Sequence, residues 1–241
     1  MNSGWLRIAH RGASGTAPEH TRAAFQRAIE LGVDMVELDV QLTRDEQIVV
    51  IHDHELDRTT SGSGMVRNHT LSQLGDLDAG TWFSSEFSGE QVLSLREVLA
   101  LVAGRVRLNV EIKALADDWE ILVPSLLDLL SHAGVRETTI ISCFEPAALQ
   151  TVRRLDPRMA VGLLWHLPDL DEAWRWCAEL RASSLHPFWM LVDPAVLQAA
   201  RKRGLRVLAW TVNDQDEINA LVASGIDGII SDYPERLLAA S

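Results

Sequence analysis

Nine short runs of β-branched or apolar residues recur along the 241-residue chain, and longer amphipathic stretches fill most of the gaps between them. Such alternation admits few folds, because short runs read as strands and the longer ones as crossover helices that bring each strand back parallel to the last. The strand candidates are "LRIA" (6–9), "MVELDVQL" (35–42), "QIVVIH" (47–52), "VRLNVEIK" (106–113), "TTIIS" (138–142), "MAVGLL" (159–164), "SSLH" (183–186), "RVLAWTV" (206–212) and "DGIIS" (227–231). Helices are expected over 19–31, 95–103, 118–133, 146–155, 170–181, 194–203 and 214–224, several opening on Asp or Pro and closing on Gly. The expectation is an α/β fold, a (β/α)8 TIM barrel, with residues 1–241 forming one domain.

Nine candidates for eight barrel places leave one run over. Only "TRDE" separates 35–42 from 47–52, too short for a crossover helix. Part of this pair is therefore expected as an antiparallel hairpin turning at Arg44 and Asp45, with Glu37 opposite His52. Residues 54–92, rich in Ser, Thr, Gly and Asp and without period, are expected as a small inserted lobe at the barrel mouth.

Composition narrows the function. The formal net charge of −12 disfavours nucleic acid as a partner, so an anionic substrate would have to be held locally. Cys143 and Cys177 lie far apart and outside any CxxC pattern, which fits a reducing cytoplasm. No run of 18 uncharged apolar residues and no secretory h-region is present, so a protein without an integral membrane segment is expected.

Side chains alternate along a strand, so Glu37 and Asp39 share one face while Val36 and Leu38 share the other. Asn109, Glu111 and Lys113 repeat the pattern in "NVEIK". Three carboxylates from two strands can thus meet at the mouth, and clustered carboxylates select hard cations such as Mg2+ or Ca2+. The competing explanation is pairing with Arg or Lys. His10 and His52 end strands where barrel enzymes carry their chemistry, and two imidazoles can act as general base and general acid near neutral pH. Arg11 and Lys113 offer charge to phosphoryl oxygens. Gly12 allows a sharp turn and a close ligand approach, and the helix after it is expected to begin near Pro18 with Glu19 in its first turn. Trp210 either walls the cleft or packs in the core. Asp53 is expected to brace its neighbour or the lobe, and Asp227 and Asp232 to cap or turn. His54, His69, His132 and His166 carry no expected role, and His186 stands at a strand end with nothing further to define it.

The pieces "AHRG", "PEHT", "ELDV", "VIHDHELDRTTSGSG", "LSLREVL", "NVEIK", "AWTVN" and "GIDGIISDYP", in this order over residues 9–234, resemble the glycerophosphodiester phosphodiesterase family. The resemblance implies a barrel with an insertion after the second histidine, hydrolysing glycerophosphodiesters to glycerol 3-phosphate and an alcohol with Mg2+ or Ca2+. Carried onto matching positions, it makes His10 and His52 the acid–base pair, Glu37, Asp39 and Glu111 the metal ligands, and Arg11 and Lys113 the phosphate contacts. Two positions depart from the family pattern: His20 stands where Asn is usual, with consequences expected for substrate contacts or pH profile, and Leu93 replaces a proline without expected harm. A lysophospholipase D would keep this site but need an apolar entrance, for which Met65, Leu71, Trp82 and Phe83 are available. A phosphodiester-binding protein without catalysis would not need both histidines, and a carboxylate-pair glycosidase would need neither them nor a cation.

Overall fold

The structure, a computed structural model, describes residues 4–113, 115 and 118–240. Ten strands form one sheet: β1 (Leu6–His10), β2 (Met35–Leu42), β3 (Ile48–Val50), β4 (Leu93–Ser94), β5 (Arg107–Ile112), β6 (Thr139–Cys143), β7 (Ala160–Trp165), β8 (Ser184–Pro187), β9 (Arg206–Ala209) and β10 (Gly228–Ser231). Eight of them, all but β3 and β4, pair in parallel through the order β1-β10-β9-β8-β7-β6-β5-β2, and a β1–β2 pairing closes the ring. This is the (β/α)8 barrel. Its outer helices are α1 (Arg22–Leu31), α3 (Leu95–Val102), α4 (Trp119–His132), α5 (Pro146–Leu155), α6 (Leu170–Leu180), α7 (Pro194–Lys202), α8 (Gln215–Ala223) and α9 (Pro234–Ala239), while the short α2 (Leu71–Gly75) lies in the inserted segment.

The period-two pattern decides which side chains enter the barrel. Ala9, Val36, Ile141 and Ile229 face outward and join the core shared with the helices. Their neighbours Ile8, Met35, Ile140, Leu208 and Ile230 form a separate cluster that fills the barrel floor. On β2 the inward phase that carries Met35 continues to Glu37, Asp39 and Gln41, so the acids stand above that floor.

The hairpin exists, but its register differs by one from the expected pairing. Val40 faces Val50, Gln41 faces Val49 and Leu42 faces Ile48, a register that sets Glu37 level with Asp53. The cause is a three-residue loop, Arg44–Glu46, closed by the Thr43 N–H donating to Gln47 O at 3.0 Å, with Glu46 in the left-handed region at φ 56°. Strand β3 then stops at Val50, and a bend rather than a ladder carries His52. Strand β4 is two residues long and pairs with β3, its Leu93 opposite Val50, which accommodates the non-proline residue there.

Helix α1 begins later than expected. Thr21 is its N-cap, accepting the Ala24 N–H, so Glu19 lies in the preceding loop and not in a first turn. Gly12 does take a positive φ of 82°, and α1 packs directly against it: a Cβ there would lie 2.7 Å from the Ala24 carbonyl carbon. Residues of the 54–92 segment bury Leu56, Val66, Leu74, Ala79 and Val92 against Val49 and Ile51. Among the described residues no helix is long and apolar enough to cross a membrane.

Candidate active site

Strand ends of one barrel face converge on a cavity of about 240 Å³ lined by His10, Arg11, Glu37, His52, Asn109, Glu111, Lys113, Phe144 and Trp210, with Leu164 and Ile230 at its base. Seven of the eight residues singled out in the sequence line it. The eighth, Asp39, lies beside them and is 1% exposed.

One oxygen from each of Glu37, Asp39 and Glu111 lies within 4.8 Å of the others, all three residues buried. Their register explains the meeting: β2 and β5 pair in parallel with Asp39 beside Glu111 and Glu37 beside Asn109. Lys113 approaches Glu111 Oε1 at 2.6 Å and Asp39 Oδ1 at 3.5 Å, and Arg11 Nε lies 3.3 Å from Asp39 Oδ2. Those two cations do not complete the cluster. Glu37 Oε1 and both Asp39 oxygens are buried without a hydrogen-bond partner, and Glu111 Oε1 has Lys113 alone. Burial, then the charges of Asp39 and Glu111, push the Glu37 carboxyl well above its usual range, and burial and Asp39 push Glu111 up to about 7. Asp39 goes the other way: burial opposes ionisation, but the charges of Lys113 and Arg11 outweigh it and hold the carboxyl well below its usual range. Buried oxygens that lack donors and resist joint ionisation fit a divalent cation, which would satisfy them together.

The two histidines stand on matching supports. His10 Nδ1 lies 2.6 Å from Asp232 Oδ1, and His52 Nδ1 lies 2.6 Å from Asp53 Oδ1. Ionised carboxylates only accept, so each ring donates through Nδ1 and presents Nε2 elsewhere. Burial opposes ionisation of Asp232, but bonds from His10, Asn213 and Ser14 prevail and hold it at about 2. Bonds from Arg58 and then His52 hold Asp53 below the usual carboxylate range. Burial, joined by the charges of Arg11 and Lys113, lowers His52 to about 4, so it is neutral at physiological pH. Asp53 thus braces its neighbour, as expected. Asp232, expected as a turn residue, is instead the anchor of His10, with Asn213 Nδ2 donating to its other oxygen at 2.6 Å. Asp227 keeps a backbone role, accepting the Val207 N–H.

Gln41 was not singled out in the sequence. It is buried, and its Nε2 donates to the carbonyl oxygens of Ile51, His52 and Asp53 at 3.1, 3.0 and 2.8 Å, shaping the bend that carries His52. His20 is buried with φ 61°, a left-handed conformation to which Asn is also suited. Its Nε2 accepts the Asp39 N–H at 3.2 Å, so it lies beneath the acid cluster and away from the cavity lining. The backbone N–H of Arg11 donates to Glu37 Oε2 at 3.1 Å, and its side chain is drawn between Glu19 and Asp39.

The far wall is aromatic. Phe144 packs edge-on against Trp210 at 5.4 Å, Phe188 follows at 5.8 Å from Trp210, and Lys113 Nζ lies 5.8 Å from the Phe144 ring centre. Trp210 Nε1 donates to the His186 carbonyl, which leaves only its ring to face the cavity. Of the lobe residues considered for an apolar entrance, Trp82 and Phe83 pack edge-on against each other, with Phe87 beside Phe83, and neither lines the cavity.

Comparison with known proteins gives the family of the chain. The glycerophosphoryl diester phosphodiesterase family model matches residues 10–236. A glycerophosphodiester phosphodiesterase of Caldanaerobacter subterraneus subsp. tengcongensis is 40% identical over 234 residues, covering 97% of this chain and 96% of that protein. A phosphodiesterase of Oleispira antarctica, solved in complex with the product sn-glycerol-3-phosphate, superposes with a TM-score of 0.91 at 31% identity over 96% of this chain and 94% of the other. A glycerophosphodiester phosphodiesterase of Agrobacterium tumefaciens gives 0.85 at 31% identity, over 97% and 98%. With residues 10–236 matched by the family model and a 40% identical relative covering nearly its whole length, the chain belongs to the glycerophosphoryl diester phosphodiesterase family.

Proposed function

We propose that this protein is an enzyme that hydrolyses glycerophosphodiesters to glycerol 3-phosphate and an alcohol, using His10 and His52 as its acid–base pair and a divalent cation, Mg2+ or Ca2+, at Glu37, Asp39 and Glu111. The observation that carries this reading is the meeting, in and beside one cavity, of three buried carboxylates, with oxygens of Glu37 and Asp39 left unpartnered, and two imidazoles that are each anchored through Nδ1. When bound, a cation would supply positive charge beside the phosphoryl oxygens as negative charge builds on them.

The chain's own groups do the rest. Arg11 and Lys113 stand at the cavity wall as contacts for the remaining phosphate oxygens. His52 starts neutral, its Nδ1–H committed to Asp53, so Nε2 accepts the proton of the nucleophile. His10 passes a proton from Nε2 to the departing alkoxide while Asp232 stabilises the charged ring. The nucleophile is water, or the neighbouring glycerol hydroxyl, which yields a cyclic phosphate before water opens it. Trp210, Phe144 and Leu164 provide the uncharged side of the pocket. All 241 residues then act as one catalytic domain in the cytoplasm, with 54–92 as a lobe at the mouth. The two free, buried cysteines support the reducing compartment.

A panel of glycerophosphodiesters, assayed for glycerol 3-phosphate with EDTA and with each metal restored, tests this. Chelator-sensitive release supports it, and no release with either metal defeats it. The aromatic wall also favours a second reading, a lysophospholipase D, and turnover of lysophosphatidylcholine above glycerophosphocholine would select it.

A further inference from the structure

One guanidinium outside the cavity lining is bound more completely than any surface role requires. Arg58, at the start of the inserted segment, donates through Nε to Asp53 Oδ2 at 2.6 Å and through Nη2 to Asp53 Oδ1 at 3.1 Å. It also donates through Nη1 to Glu19 Oε2 at 2.9 Å and through Nη2 to Glu19 Oε1 at 2.8 Å. Two carboxylates are thus forked by the same plane. Each has a second partner inside the site: Asp53 Oδ1 takes the His52 Nδ1–H, and Glu19 Oε1 takes Arg11 Nη1 at 2.9 Å. The line continues from Arg11 Nε to Asp39 at 3.3 Å. Charges alternate from Asp53 through Arg58, Glu19 and Arg11 to Asp39, with the His52 ring held at the Asp53 end, and the links come from three separate segments of chain.

We propose that Arg58 is a positioning residue, a strut that sets the His52 ring and the Arg11 guanidinium in one frame by gripping Asp53 and Glu19 at once. The inference rests on the reading of His52 as an acid–base group. The Arg58 side chain is 44% exposed, and exposed ion pairs contribute little to folding, so fold stability alone does not explain four bonds. What the planar fork adds is direction. Four fixed N–H vectors leave Asp53 one orientation and therefore leave the His52 ring one orientation. A lysine at this position would keep the charge and lose the vectors. Partners that orient metal-bound imidazoles typically change activity about 10- to 100-fold when removed, and the same scale is expected for a group that orients a proton-transferring one.

The test measures kcat and KM for glycerophosphocholine, thermal melting, and the long-range 15N–1H spectrum of the His52 imidazole in the wild type, Arg58→Ala, Arg58→Lys, Asp53→Ala and the Arg58→Ala/Asp53→Ala double variant, each with saturating Mg2+. Arg58→Ala should lower kcat about 10- to 100-fold with a melting point near that of the wild type, and Arg58→Lys should remain at least about ten-fold down. The double variant should be no slower than the slower single variant, because both act on His52 along one line. In the spectrum the wild type should show a single Nδ1–H tautomer, and Arg58→Ala a mixture. Full activity in Arg58→Lys, losses that multiply in the double variant, or an unchanged His52 spectrum in Arg58→Ala would each overturn the strut. Loss of folded protein in both Arg58 variants would assign the residue to folding and overturn it as well. Should the wild type release no glycerol 3-phosphate, the functional reading fails on its own, while the imidazole spectrum still decides whether Arg58 orients His52.

Discussion

The two halves of the barrel mouth do different physical jobs. Strands β1, β2 and β5 carry His10, Glu37, Asp39, Glu111 and Lys113, a wedge in which buried charge is dense and some oxygens have no donor. Strands β7 to β9 and the loops after β6, β8 and β9 carry Leu164, Phe144, Phe188 and Trp210, where the polar atoms are few and Trp210 has spent its N–H on a backbone carbonyl. Concentrating charge on neighbouring strands brings all three acids within reach of the single cation proposed above, and leaving the opposite wall uncharged keeps those charges unscreened. On the proposed function the division would separate reaction from recognition, and each half can be tested by breaking it without the other.

The largest effect should come from the charged wedge. Stripping divalent cations with EDTA is expected to reduce release of glycerol 3-phosphate to background, with recovery on adding Mg2+ or Ca2+. Asp39→Asn should do the same irreversibly, since Asp39 is the carboxylate its neighbours keep most firmly ionised. Retention of most activity in EDTA would remove the cation from the site. Next in size are the imidazoles: His10→Ala and His52→Ala should each lower kcat by roughly 10²- to 10⁴-fold, the range typical of a single proton-transfer group, with circular dichroism unchanged. A loss below about three-fold in either would take that residue out of the proton-transfer pair. Asp232→Asn follows at about 10- to 100-fold, because it removes the anchor of His10 and not the ring itself.

That ordering runs parallel to what could be read from the chain alone. Glu37, Asp39 and Glu111 were legible because strand alternation is local: an acid every second residue in an otherwise apolar run has to face something polar. His10 and His52 were legible from their place at the ends of apolar runs. The supports were not legible, since Asp232 meets His10 across 222 residues and only closure of the ring through the β1–β10 pairing brings them together. Arg58 and Glu19, 39 residues apart, show no shared pattern either. An acid directly following the last barrel strand, "SDYP", was the one available signal, because the last strand of a closed barrel borders the first. The hairpin register failed for a smaller reason. A single left-handed residue, Glu46, adds one position to the turn, and period two converts one position into a different partner for every residue beyond it.

The uncharged wall should respond in selectivity more than in rate. Trp210→Ala and Phe144→Ala are expected to change kcat for a small glycerophosphodiester by less than about ten-fold while altering the ratio between glycerophosphocholine and glycerophosphoglycerol, since an aromatic face attracts the choline cation by about 0.5–2 kcal/mol and an uncharged glycerol far less. An equal loss for both substrates would mean that the wall shapes the site without reading the alcohol.

The smallest predicted effect is one of sign. Burial acts on both halves, but it favours the neutral form of an acid and of a base in opposite pH directions. In the metal-free protein Glu111 is held at about 7 against a usual 4.5, so its contribution to stability is full below 4.5 and is lost as pH rises through about 7. His186, on β8 and buried with Nδ1 lacking a partner, is lowered to about 3 from 6.5. Its contribution is present above 6.5 and is lost as pH falls toward 3. Metal-free melting curves between pH 4.5 and 7.5 therefore sum two opposing slopes. Glu111→Gln should remove the falling one, raising the melting temperature at pH 7.5 relative to pH 5, and His186→Asn should remove the rising one. At this chain length each kcal/mol corresponds to about 2–4 °C, so both shifts are measurable by calorimetry. Slopes of the same sign in the two variants would show that burial does not set the charge state on both sides of the barrel.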